Sequence, residues 1–438
     1  MEVLGIGAGV AGLAAARSLC VAGVKVCLLE ARDRIGGRIH TIRDPNLPVP
    51  VELGAEFIHG RPRTILEIAE KAGLEIEATP ARYEYWQKGR RVHRDDLFGK
   101  VEEIFERMSD PNLADQTFSE FLVRIDANRE ARQWATDYVE GFNAALADRI
   151  STWSLAHESR AQQSIGGDCA FRFQQGYDRL VDWLWRECVS RGAILHLRTV
   201  ASAVEWRRGH VEVTARVSTK DSAEQVFSAD RALITVPVGV LQAPEESPGA
   251  IRFRPQPPSL RPALVRLEMG YATRVTLRFR LGFREAHPAL GEGGFIHSNE
   301  VAFPTWWSPP EGPGPRVTPG LTGWAGGPKA ERLTGLSDVE LAHRAIESLA
   351  AIVGAPFDAV GRDVEAWYVH NWSADPFARG AYSYARVRGL EARRSLTEPV
   401  EKTLSFAGEA VDTEGHAGTV HGAIASGQRA ARQILESA

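Results

Sequence analysis

Three glycines, Gly7, Gly9 and Gly12, stand at the spacing G-x-G-x-x-G with Ala8 inside it. An acid, Glu30, follows roughly 20 residues on. This pattern can hold a phosphate diester. Gly7 permits a tight turn, Gly9 offers no side chain to an approaching pyrophosphate, and Gly12 lets a helix pack close on a strand. Glu30 can accept hydrogen bonds from a ribose diol. The elements needed to position them follow in order: an apolar strand over 3–7, an Ala/Leu-rich helix to about Ala22, and a second apolar strand over 24–29 that ends on Glu30. The helix would turn unpaired N–H groups and a positive dipole end toward the phosphates. The pattern predicts a dinucleotide cradle, and alone it admits NAD as well as FAD.

Arg32 and Arg38 flank Gly36 and Gly37 just after the second strand. They suit a loop folded over the pyrophosphate, with Arg38 as a bidentate donor. The stretch 51–60 carries Gly54 and Gly60, where a backbone can approach a flat ring.

At 438 residues the chain is expected to form two domains. A net charge of −4 gives no reason to expect a nucleic-acid surface or a basic membrane patch. The four cysteines, Cys20, Cys27, Cys169 and Cys188, lack zinc or C-x-x-C spacing, so no metal site is expected and a reducing compartment is. The first residues read as a strand rather than a secretory leader, and no apolar run approaches about 18 residues. A cytoplasmic protein is the expectation.

Further elements are a helix over 64–72 closed by Gly73, helical patterning near 96–108 and 131–147, and a helix over 177–188. Strands are expected over 193–200, 204–217, 233–241, 273–280 and 365–372. A Pro/Gly-rich loop spans 308–320, a capping box at Ser337 and Glu340 opens a helix to about Val353, and a last helix runs over 420–435. Cofactor-type segments lie at the start, middle and end of the chain. Two discontinuous domains are therefore expected: a Rossmann-like α/β domain over 1–79, 170–242 and 396–438, and a mixed-sheet and helical (α+β) domain over 80–169 and 243–395.

Five stretches in order resemble the flavin-dependent amine oxidases, meaning monoamine and polyamine oxidases and the oxidase domain of lysine-specific histone demethylases. They are L-L-E-A-R-D-R-I-G-G-R over 28–38, E-L-G-A over 52–55, and T-V-P-V-G-V-L over 235–241. Next comes N-W at 371–372, with D-P at 375–376 and R-G-A-Y-S-Y over 379–384. Last are F-A-G-E over 406–409 and T-V-H-G-A over 419–423. The resemblance implies FAD. It puts the ribose on Glu30, the pyrophosphate near Arg32 and Arg38, and the adenine at the Ala201 backbone. It sets Gly54, Ala55, Glu56, Phe57 and Trp372 beside the flavin, Gly408 and Glu409 near the ribityl chain and phosphates, and Thr419 and Val420 under the pyrimidine end. Covalent members carry cysteine just before the tyrosine matched by Tyr382; here Ala381 stands there, so non-covalent FAD is expected.

Two departures matter. Arg274 stands where the family has a lysine that holds a water, and its guanidinium is planar and never neutral. Tyr382 supplies one wall of the monoamine-oxidase aromatic sandwich, but Thr419 replaces the other. His59, in F-I-H-G, resembles the polyamine-oxidase W-I-H-G. Arg274, Tyr382 and His59 are thus the candidate catalytic residues. Glu56 is a candidate carboxylate for a cationic substrate, with Glu84 and Glu140 weaker ones. The implied reaction is hydride removal from the carbon next to an amine, imine hydrolysis, and reoxidation by O2 to H2O2. A polyamine or related alkylamine is the expected substrate; an L-amino acid, held by Arg61, Arg63 or Arg82, and a flavin-binding scaffold with little turnover are the alternatives. No nucleic-acid or membrane partner is expected, and the oligomeric state is not legible.

Overall fold

The computed structural model describes every residue of the chain except 81, 88, 93–96, 111, 218–222, 288–289, 291–293, 310–318 and 438. The start of the helix expected at 96, and most of the 308–320 loop, lie outside the described residues.

Five short strands form a parallel sheet in the spatial order Ile194–His196, Lys25–Leu29, Glu2–Ile6, Arg231–Ile234 and Leu404–Phe406. Numbered along the chain, the order is 3-2-1-4-5, and it reverses between the first and fourth strands. Ligands of such sheets bind outside the carboxyl ends at that reversal. Both faces are covered, as parallel sheets require. On one face lie Val10–Val21, Asp178–Val189 and Val420–Glu436, joined through Leu13, Ala16, Leu180, Leu184, Ala430 and Ile434. The first and last helices touch at backbone distance. A Cβ on Gly427 would stand 2.2 Å from the Ala11 carbonyl oxygen. On the other face, Leu4, Ile6 and Leu29 pack with Val211 and Val213 of a four-stranded sheet.

Two strand expectations need correction. The hairpin runs Thr199–Arg207 and His210–Val217, because the chain turns at Gly209, at φ +75°. The expected 233–241 strand is Arg231–Ile234 followed by a short helix, Val238–Leu241. Pro237, which has no N–H for a ladder, caps that helix.

The second body is a seven-stranded mixed sheet. Its order is Val364–Val369, Ala272–Phe279, Gly320–Gly326, Thr305–Trp307, Phe295–His297, Tyr83–Gln87 and Arg90–Val92. Asp338–Val353 packs on it through Leu341, Ala345 and Leu349. The expected Ser337–Glu340 capping box opens that helix and Gly354, at φ +71°, ends it. The helices Leu97–Met108, Phe118–Arg124, Arg129–Phe142 and Thr152–Ser164 share a separate core. Among the described residues no helix is long and apolar enough to cross a membrane.

Candidate active site

The glycines, Glu30, Thr235 and Gly408 all lie at the carboxyl ends of the parallel strands. Glu30 is buried. Its Oε2 accepts from the Ala8 N–H at 2.8 Å and its Oε1 from the Arg32 N–H at 2.9 Å, which ties the glycine turn to the second strand. Gly7 has φ +101°, and a Cβ there would press on the Thr235 hydroxyl at 2.8 Å. A Cβ on Gly12 would stand 2.2 Å from the Gly7 carbonyl oxygen. Gly9 differs: a Cβ there meets nothing nearer than Gly37, at 4.0 Å. That space opens at the start of Val10–Val21, whose N-cap is Gly9 itself, with no side-chain cap and no acid in the first turn. An uncapped helix start with room before it is the donor set a pyrophosphate needs. The residues present therefore fit the dinucleotide.

Both arginines expected at the pyrophosphate are already held by carboxylates. Arg32 Nη2 donates to both oxygens of Asp375 at 2.8 Å, and its guanidinium lies over the Trp372 and Phe377 rings. Burial would raise the Asp375 carboxyl, but His370 and Arg32 outweigh it and hold it far below its ordinary range. Arg38 Nη1 donates to Glu409 at 2.9 Å and to the Ala381 carbonyl at 2.7 Å. Glu409 also accepts from the Ser383 hydroxyl and the Gly418 N–H. Burial works to raise its carboxyl; Arg38 and Ser383 bring it below the usual range. Arg34, not singled out from the sequence, shapes the loop by donating to the Ile35, Gly37 and Ile39 carbonyls, while its Nη2 is buried without a hydrogen-bond partner. Ala201 is buried at a bulge two residues after Thr199, whose N–H donates to the Glu30 carbonyl. Thr419 caps the last helix, which begins at Val420, by accepting from the Gly422 N–H.

The 53–57 segment gathers the second half of the site. Trp372 Nε1 donates to the Leu53 carbonyl at 2.8 Å and Arg274 Nη1 to the Gly54 carbonyl at 2.9 Å. Two side chains far apart in sequence thus grip consecutive carbonyls. Ala55, between Gly54 and Glu56, packs at the edge of the Val10–Val21 core. Arg274 is 5% exposed on an interior strand. Its Nη2 pairs with Glu56 at 2.6 Å. Arg172 Nε lies 2.9 Å from the other Glu56 oxygen, an ion-pair contact rather than an aligned hydrogen bond, and Trp307 Nε1 reaches both oxygens at 3.1 Å. Burial pushes the Glu56 carboxyl up; the two arginines overcome this and leave it below its ordinary value. Both Glu56 oxygens are thus engaged by protein cations and the Trp307 indole. Glu84 pairs with Arg82 at 2.7 Å. Glu140 is pushed up to about 7 by burial.

His59, on the strand Ile58–His59, stands edge-on to Phe142 at 5.5 Å. Burial lowers its pKa to about 4, so the imidazole is neutral. The Tyr382 hydroxyl donates to the Phe142 carbonyl at 2.6 Å, and Gly418 leaves room beside the ring, since a Cβ would lie 3.3 Å from it. His59 and Tyr382 therefore meet through Phe142, which carried no sequence signal. An aromatic wall continues from Phe57 to Phe295 and Trp307, and from Phe295 to Tyr83. Phe142 is 46% exposed and Tyr83 41%, despite this dense ring packing.

The family model described as flavin containing amine oxidoreductase matches residues 10–435. Probable polyamine oxidase 4 of Arabidopsis thaliana is 30% identical over 99% of this chain and 88% of its own length. Polyamine oxidase 4 of Oryza sativa subsp. japonica is 28% identical over 98% of this chain and 88% of its own. In fold, the chain is similar to wild-type putrescine oxidase bound to putrescine, with a TM-score of 0.81 at 20% identity over 100% of this chain and 99% of that one. It is also similar to cyclohexylamine oxidase from Brevibacterium oxydans, with a TM-score of 0.79 at 22% identity over 99% of this chain and 98% of that one. The chain belongs to the flavin containing amine oxidoreductases, and it is an FAD-dependent amine oxidase.

Proposed function

We propose that this enzyme oxidises a polyamine or related alkylamine at a C–N bond. The carrying observation is the neutral His59, joined through Phe142 to Tyr382, beside the 54–57 segment. When bound, FAD would supply the oxidant for hydride removal from the carbon next to the amine nitrogen, with O2 as the final electron acceptor and H2O2 as its product. An uncharged imidazole can accept a hydrogen bond from an amine N–H and does not repel a substrate arriving as a cation that must lose its proton. The Tyr382 hydroxyl hydrogen is committed to the Phe142 carbonyl, so the residue offers its ring and an acceptor oxygen. Phe57, Phe142, Phe295 and Trp307 keep water from the reacting carbon. The plant polyamine oxidases among the relatives support this substrate class. No thiol stands at Ala381, so FAD is held without a covalent bond.

The assignments of Gly7, Gly9, Gly12, Glu30, Ala201, Gly408, Glu409, Thr419 and Val420 to the cofactor belong to the same proposal. So do the cofactor domain over 1–79, 170–242 and 396–438, the substrate domain over 80–169 and 243–395, and a cytoplasmic location.

An amino-acid substrate would need a free cation for its carboxylate. Arg63 pairs with Glu67, Arg82 with Glu84, and Arg61 lies on the Phe171 ring. Anaerobic addition of spermidine or spermine should bleach the flavin absorbance, and aerobic turnover should release peroxide. Bleaching by L-amino acids alone would replace this reading, and bleaching by neither would leave a flavin-binding scaffold.

A further inference from the structure

Two cations share one anion behind the 54–57 segment. Arg172 and Arg274 both contact Glu56, one on each oxygen, and the three residues are each 5–8% exposed. Trp307 braces Glu56 from a third side, Arg172 Nη1 donates to the Ser308 carbonyl, and the Phe57 ring lies 4.6 Å from the Arg172 guanidinium. The three charged residues line a cavity of about 20 Å³ together with Glu52, Thr276 and Thr322. Burial pushes the Glu52 carboxyl up to about 8, which favours its neutral form, although the Thr41 hydroxyl and the Tyr177 N–H donate to it. Glu77, partly exposed, is the remaining carboxylate that Arg172 feels. Counting its own members, the cluster sets two guanidiniums against one carboxylate in a buried place, where screening by water is weak. Arg274 Nη1 fixes that charge to the Gly54 carbonyl.

We propose that Arg172 and Glu56 are positioning residues that set the reduction potential of the bound cofactor through the net charge of the Arg172–Glu56–Arg274 cluster. The inference rests on the reading that 54–57 flanks the flavin. Arg274 alone would be a long side chain with several rotamers. Glu56 immobilises it, and Arg172 restores the charge that Glu56 cancels. A fixed positive charge favours the reduced, more negative cofactor over the oxidised one.

The test is the midpoint potential of bound FAD in the wild type, Arg172→Gln, Glu56→Gln and the double variant, at neutral pH. Arg172→Gln removes one of the two guanidiniums and should shift the equilibrium toward oxidised FAD about tenfold, which is about 30 mV for a two-electron couple. Glu56→Gln should shift it the opposite way. The double variant, again with one net cation, should return close to the wild type. Arg172→Lys keeps the charge without the planar fork and should hold the wild-type potential. A potential that falls in all the variants together, or moves in none, overturns the proposal, as does Arg172→Lys behaving like Arg172→Gln. The amine reading is judged apart, by whether spermidine bleaches the wild type.

Discussion

The cradle at the carboxyl ends of the parallel sheet is made mostly of backbone, whereas the cluster around Glu56 is made of side chains. In the cradle, Ala8 and Arg32 offer N–H groups to Glu30, and the helix start beyond Gly9 is left uncapped. Around Glu56, two guanidiniums and an indole come from residues 172, 274 and 307. A backbone site depends on where Cβ atoms are absent. A side-chain site depends on every partner being present. The two should fail in different ways when altered, and the largest loss is expected at the second. Glu56→Ala leaves two buried guanidiniums without their shared counter-ion, a change that costs about 3–5 kcal/mol. Urea unfolding of the FAD-loaded variant should show this as a lower midpoint. A loss near zero would mean that water reaches the arginines and that the cluster is not a buried one.

Within the cradle, Gly12 and Gly9 separate folding from binding. Gly12→Ala drives a Cβ to 2.2 Å from the Gly7 carbonyl oxygen, so the turn itself must shift. Overpacking of this kind costs about 1–3 kcal/mol, and thermal unfolding checks it. Gly9→Ala places its Cβ in open space at an ordinary φ of −69°. It should leave the protein's own stability unchanged and weaken FAD at least tenfold, read by titrating the stripped protein with FAD. Wild-type affinity in Gly9→Ala would place the pyrophosphate elsewhere and break the contrast between the regions.

That contrast also decides what could be read from the chain. Gly7, Gly9, Gly12 and Glu30 form a local pattern, because backbone sites need particular residues at short, fixed spacing. The capping box at Ser337 and Glu340 was legible for the same reason, and the parallel sheet followed from apolar runs. Arg172 and Trp307 carried no signal, since an arginine or tryptophan in a strand looks alike whether it lies on the surface or against Glu56. Phe142 was equally silent: its carbonyl, not its side chain, receives Tyr382. Arg274 is legible by position alone: the sequence offers it as a possible water holder, and its bonds to Gly54 and Glu56, made through the two terminal nitrogens, carry no sequence signal. Glu56 reads from the sequence as a candidate substrate carboxylate, since its two arginine partners lie 116 and 218 residues away.

The smallest expected effect concerns proton uptake at the recess, and it tests whether His59 belongs with the buried cluster or with solvent. Burial depresses His59 and His297 to about 4 and His421 to about 3, from an ordinary value of 6.5. Between pH 6.5 and about 4 the unfolded chain therefore binds protons that the folded one refuses. Stability gained from these groups is complete above 6.5 and is lost as pH falls through that window. Phe142 and Phe57 crowd the His59 ring at 5.5 and 6.1 Å, so its share should come from exclusion of water rather than from a charge partner. His59→Asn removes one titrating group. The acid-side slope of unfolding free energy against pH should become shallower, while the plateau above 6.5 moves little. An unchanged slope would mean that water already solvates the imidazole, and then the recess would accept a protonated amine without the penalty that a dry aromatic wall imposes.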